Sequence, residues 1–187
     1  MIPPNDGMTR GDATTYDGSL AQVLRSLLVG RSVGALATLH GGRPFASMIP
    51  FAVIPRTATP AEAAGAATTL RLVTHVSGLA AHTRDMLSHP EVCLLVTAPE
   101  SPGVMPQALP RVSLSAVAEF IPADHPEHAA LKAAYLAKFP EAADFFMLGD
   151  FSLVVLEPTS ARLVAGFARA VTLAPAALAA AVAERPG

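Results

Sequence analysis

Apolar residues at Leu20, Val23, Leu24, Leu27 and Leu28 in "SLAQVLRSLLVG" recur at the spacing of one helical face. Ser19 stands ready as N-cap and Gly30 as terminator, so the chain begins its folded part with a helix. The period then changes. "SVGALATL" and "PFASMIPFAVI" are β-suited runs joined by "HGGR", whose glycines permit a tight turn, and they predict a hairpin. "TTLRLVTH" alternates Leu70, Leu72 and Thr74 against Arg71, Val73 and His75, and predicts a third strand. "SGLAAHTRDMLSHP" follows as an amphipathic helix that Pro90 ends.

"EVCLLVTA" is a continuous apolar run, as in a buried strand, and makes its lone cysteine, Cys93, core filler rather than nucleophile. After the turn-rich "PESPGVMPQAL", "PRVSLSAVAEFI" alternates Val112, Leu114, Ala116, Ala118 and Phe120 with Arg111, Ser113, Ser115 and Glu119. "HPEHAALKAAYLAKF" predicts a helix, and "FSLVVLEPTSARLVAGF" two strands broken at Glu157 and Pro158. These readings divide the chain into a flexible arm at 1–18, a folded domain at 19–172 and an alanine-rich tail at 173–187, read as a fraying surface helix. Six or seven strands with helices between them define an α+β protein on an antiparallel sheet. Closing that sheet into a small barrel removes its exposed edges.

Composition narrows the function. Apolar residues make up 51% and charged residues 15%, with a formal net charge of −2 and the basic residues scattered singly. That is not the basic footprint of a nucleic-acid binder, and with no tryptophan the chain lacks good stacking platforms for single strands. No apolar run reaches the ~20 residues of a membrane span, which leads to the expectation of a cytoplasmic protein. No G-x-S-x-G elbow surrounds a serine, and the carboxylates are too dispersed for a paired acid–base site. His125 and His128 stand three apart without an evident third metal ligand, which suits a solvated helix start.

The polar residues gather instead at "LVTHVSGLAAHTRD". If Ser77 or Thr83 opens a helical turn, free backbone N–H groups there favour an anion, with Arg84, His82 and the two hydroxyls as further donors for a phosphate. The alternative is an ordinary N-cap beside a solvated arginine.

The runs "GALATLHGGRPFASMIPFAV", "LVTHVSGLAAHTRDMLSHPEVCLLV", "LPRVSLSAVAEFI" and "GDFSLVVLEPTSARLVAGF" resemble the FMN-binding split-barrel superfamily related to pyridoxamine 5′-phosphate oxidase. The likeness is strongest to its haem-utilisation, HugZ-like branch. It covers about residues 20 to 172, and its most specific element is S-x-x-A-x-H-T-x-x-[LM], here Ser77, Ala80, His82, Thr83 and Met86. The resemblance implies a Greek-key split barrel and a homodimer with FMN between the subunits. It assigns the FMN phosphate to Ser77, His82, Thr83 and Arg84 and the isoalloxazine to Ala46, Ser47, Met48, Ile49 and Pro50. Thr74 and His75 would flank the ribityl chain, with Arg111 and Phe167 either as weaker cofactor contacts, from one subunit or the other, or as structural residues.

The chain departs from the family pattern in three places. Gly78 stands where many relatives have a basic residue after the serine, the arginine- and tryptophan-rich C-terminal signature of true pyridoxamine phosphate oxidases is absent, and no histidine follows His128. Two functions remain. One is an FMN-dependent oxidoreductase taking electrons from a small substrate or nicotinamide donor; the other is a haem- or flavin-holding protein of the same fold, with a deazaflavin as a further cofactor alternative.

Overall fold

The computed structural model describes residues 18–56, 69–166 and 169–183. The helix predicted at the start is α1 (Gly18–Leu28), and the hairpin is β1 (Val33–His40) with β2 (Arg43–Pro50). His40 pairs with Arg43, and Gly41 and Gly42 between them have φ of +57° and +75°. Two successive positive φ values make the two-residue turn that matches strand twist, and glycine adopts them without steric cost.

The run "PFASMIPFAVI" is not one strand. It breaks at Phe51, and β3 (Ala52–Arg56) leaves β2 to pair with β4 (Thr69–Ser77). The remaining elements are α2 (Ala81–Ser88), β5 (Glu91–Thr97), β6 (Arg111–Ile121), α3 (His128–Lys138), a 3₁₀ segment at Pro140–Met147, β7 (Phe151–Val164), β8 (Ala170–Leu173) and α4 (Pro175–Ala183). The strands lie in the order β2-β1-β5-β6-β7-β4-β3, all antiparallel, with β8 added to β7. The path starts in β2 and ends in β3, which only Phe51 separates in the chain, so the sheet returns on itself as a split barrel.

Two further expectations are corrected. Glu157 and Pro158 do not end a strand: β7 runs through them as one 14-residue strand. Ala116 pairs with Pro158 and Ser115 with Ser160, so Thr159 is the extra residue of a bulge, the position in a sheet that accommodates a nearby proline. The alanine-rich C-terminal stretch is not a loose surface helix either. In α4, Leu178, Ala179 and Ala181 are buried in the same core as Leu24, Leu27 and Leu28 of α1. Small residues let this short helix pack closely although its own pattern is hardly amphipathic.

Inside the barrel, Leu36, Ile49, Leu72, Leu94, Leu114 and Leu156 are fully buried. A second core lies under α3, where Val73, Ile121, Leu131, Tyr135, Leu153 and Val155 meet. β4 stands between the two, so it is buried on both faces rather than the one face its alternation suggested. Arg71 survives there because its guanidinium donates two parallel bonds, of 2.8 and 3.0 Å, to the Glu127 carboxylate.

Candidate functional site

The end of β4 and the start of α2 bring Ser77, Thr83 and Arg84 together, but each already has a protein partner. The Ser77 hydroxyl donates to Asp150 Oδ2 at 2.7 Å and accepts from the Leu79 N–H at 3.2 Å. Thr83 Oγ1 donates to the Ser77 carbonyl at 2.7 Å, and Arg84 donates to the Leu79 carbonyl at 3.0 Å. Neither Ser77 nor Thr83 caps the helix. The cap is Ala80, without a side-chain hydrogen bond, and Thr83 lies one turn inside with its hydroxyl folded back to the strand. Burial lowers the pKa of His82 against the opposing pull of Asp85, which favours the neutral imidazole.

Gly78 belongs to this arrangement. Its N–H donates to the Asp150 carbonyl at 2.6 Å, and a Cβ at this position would lie 3.1 Å from that oxygen. The missing side chain therefore lets the loop before β7 close on β4, and it brings the Asp150 carboxylate onto Ser77.

The β2 residues divide between two faces. Ser47 pairs with Leu36 and, like Ile49, faces the barrel interior, whereas Ala46 and Met48 pair with Ala37 and Ala35 on the outer face. Met48 is 65% exposed there, and Leu95 of β5 flanks Ala35 from the other side. Pro50 is partly buried at the strand end. Thr74 and His75 also part company. Thr74 points into the barrel, whereas the His75 ring stacks on Phe146 with centroids 3.7 Å apart and meets Phe151 and Tyr135. Burial, with Lys132 and His128 adding to it, pushes the His75 pKa down to about 4. Arg111 turns to its own loop, donating to the carbonyls of Gln107 and Leu109 at 3.2 and 3.1 Å. Phe167 lies outside the described residues.

Thr74 Oγ1 is buried and has no hydrogen-bond partner. Thr74→Val keeps the branched shape and removes the unpaired hydroxyl, so it is expected to stabilise the protein by about 1 to 2 kcal/mol in urea denaturation. A loss of stability would mean that the hydroxyl is bonded in solution.

One group was missed from sequence. Asp85, buried on α2, accepts from Thr38 Oγ1 at 2.8 Å and from His40 Nδ1 at 2.9 Å. Burial pushes its carboxyl up, but the bonds from His40 and Thr38 and the charges of His40 and Arg84 outweigh this and hold it below its ordinary value. The available signals were weak: one acid inside the polar helix motif, and a histidine beside the turn glycines.

The split barrel, with its short helix after the fourth strand, places the chain in a recognised class. It belongs to the pyridoxamine 5′-phosphate oxidase family, whose model matches residues 20–165. Among individual proteins it is similar to the chloroplastic non-canonical heme oxygenase HOZ of Arabidopsis thaliana, 34% identical over 158 residues. That match covers 81% of this chain and 42% of HOZ. A heme binding protein from Mycobacterium smegmatis superposes with a TM-score of 0.68 at 28% identity, over 89% of this chain and 62% of that one. The heme storage protein HutZ from Vibrio cholerae shares the fold, with a TM-score of 0.58 at 24% identity over 73% of this chain and 86% of its own. The chain thus spans well under two thirds of HOZ and somewhat under two thirds of the mycobacterial protein. Among the described residues, no helix is long and apolar enough to cross a membrane.

Proposed function

We propose that this chain binds haem and works in haem utilisation, rather than as an FMN-dependent oxidoreductase. The observation that carries this reading is the clamp at Ser77. An FMN phosphate at the expected position would meet the Asp150 carboxylate where it needs a donor, the Ser77 and Thr83 hydroxyls already donate within the protein, and Arg84 spends one of its N–H groups on the Leu79 carbonyl. Uncompensated approach of two anions is costly. The donor set fits FMN poorly.

A macrocycle makes a different demand: a flat apolar surface and few polar contacts. The outer face of β2, β1 and β5 offers Met48, Ala35 and Leu95 in one register row and Ala46, Ala37 and Cys93 in the next. The small residues leave this face even enough for a planar ring. The similarity to HOZ and to the mycobacterial heme binding protein supports the same choice. In this reading a second copy of the chain covers the outer face as a homodimer, and a small-molecule electron donor supplies any redox step.

Purified chain titrated separately with hemin, FMN and a deazaflavin tests the assignment. The expected result is a saturable Soret change at one haem per chain, with FMN binding weaker by roughly tenfold or more. Tight FMN or deazaflavin binding without a haem response would return the flavoprotein reading.

A further inference from the structure

The outer face of the sheet continues beyond the apolar rows of β2, β1 and β5. Leu95 pairs with Ser113, Ser113 with Arg162 and Arg162 with Thr172, while in the next row Cys93 pairs with Ser115 and Ser115 with Ser160. Val112, Leu114, Ala161 and Leu163 point into the barrel core, so Ser113 and Arg162, which lie between them, point out. One continuous face thus changes from hydrocarbon and sulfur at β2, β1 and β5 to hydroxyls and a guanidinium at β6, β7 and β8. It is open: Val33, Leu39, Leu95 and Val117 are 37% to 41% exposed. A cavity of about 420 Å³ lies on this face, lined among others by Ala37, Leu39, Cys93, Ser115 and Val117.

Charge divides the face in the other direction, along the strands. Val117 pairs with Glu91 on one side and with Glu157 on the other, which puts two carboxylates at one end. Arg111 and Arg162 stand toward the opposite end. Arg111 donates to two carbonyls of its own loop. Arg162 donates one N–H to Thr172 Oγ1 at 3.0 Å, which steadies the guanidinium, and it makes no other hydrogen bond or ion pair among the described residues. Its remaining N–H groups keep the planar fork that grips a carboxylate through two parallel bonds.

A ligand that matches the whole face is flat, apolar over most of its area and carries carboxylates on one edge. Haem has this form, with both propionates on the same side of the macrocycle. β7 lies two strands from β5, about 10 Å at the ordinary strand spacing, so a ring lying over β1 and β5 brings its acid edge to Arg162. Turning that edge toward Glu91 and Glu157 would set anion against anion.

We propose that Arg162, with the Ser113 and Thr172 hydroxyls beside it, anchors a haem propionate, and that Glu91 and Glu157 exclude the opposite orientation of the ring. The anchor rests on the haem-binding reading and adds to it a carboxylate-recognising half of the site.

The test is titration of the full chain with hemin and with hemin dimethyl ester, in which both propionates are masked. Wild type is expected to bind the ester more weakly than hemin, by roughly tenfold or more. Arg162→Gln should bind hemin as weakly as wild type binds the ester, and exchanging hemin for the ester should cost it little. Arg162→Lys, which keeps the charge without the fork, should fall between the two. Added salt should weaken hemin binding by wild type more than by Arg162→Gln. Glu91→Gln should bind hemin at least as tightly as wild type. The Arg162 side chain makes a single protein bond, so its replacement is mild, and circular dichroism checks the fold. Wild type that binds the ester as tightly as hemin overturns the anchor without recourse to any variant. An Arg162→Gln protein that keeps the full difference between hemin and ester overturns it too, and both results leave haem binding intact. Weaker hemin binding by Glu91→Gln overturns the orientation. Wild type that binds neither compound overturns the haem reading and this anchor with it.

Discussion

Phe51→Ala is expected to destabilise the protein by about 3 to 5 kcal/mol, the cost of emptying a fully buried aromatic site. Phe51 has no exposed surface and lies where β2 gives way to β3. Its N–H donates to the Ser32 carbonyl at 3.0 Å, which anchors the corner to the start of β1, and Lys138 Nζ sits 4.8 Å from the ring centroid. The ring therefore fills the seam where the two ends of the sheet meet. Alanine would leave a cavity there and remove the cation–π contact, with little freedom for the two strands to collapse into the space. Phe51→Leu, which keeps most of the volume, should lose less than half as much. Guanidinium denaturation at constant slope measures both. A loss under about 1 kcal/mol for the alanine variant would mean that the seam is not closed in solution.

Acidification is expected to remove about 2 to 3 kcal/mol of stability through His75 alone, allowing for some solvent contact at the ring edge. The folded state keeps this imidazole neutral down to about pH 4, chiefly because it is buried, whereas the unfolded chain takes up the proton at the ordinary value of 6.5. Between those two values the unfolded state binds more protons, so stability rises with pH. The contribution is fully present above about pH 6.5 and is lost progressively as the pH falls toward 4. His75→Phe preserves a flat ring against Phe146 and has nothing to titrate. Its stability should fall less steeply than wild type over this interval, and the difference isolates His75 from the carboxylates that titrate nearby. Parallel curves for the two proteins would contradict the assignment.

The hairpin, α2, β5, β6 and α3 were legible because each rests on local chemistry: glycines at a turn, a proline after a helix, or a clear period of two or 3.6. The errors arose where distant partners decide the outcome. Phe51 looks like any other residue in a β-suited run, and only barrel closure makes it a corner. Pro158 is a strand breaker by local rule, but a bulge across from β6 takes up the misfit. Alternation in β4 correctly separated Leu72 from Arg71, yet it could not show that α3 roofs the second face. The candidate site divides in the same way. The Ser77–Arg84 motif is contiguous and could be read directly, whereas Asp150 on Ser77 and Asp85 under His40 are contacts across the fold.

β7 lies between β6 and β4 and pairs with both, so Thr74 must find Val154 and Ala118 must find Leu156. On a ribosome this strand emerges after β1 to β6. Until it does, β4 has a strand edge with no pairing partner, and the hairpin and the β5–β6 pair can form only an open sheet. Closure is thus a late event of high contact order. Its rate should respond more to changes in β7 than to equally destabilising changes in the first hairpin, and a fragment ending before Phe151 has no route to a barrel.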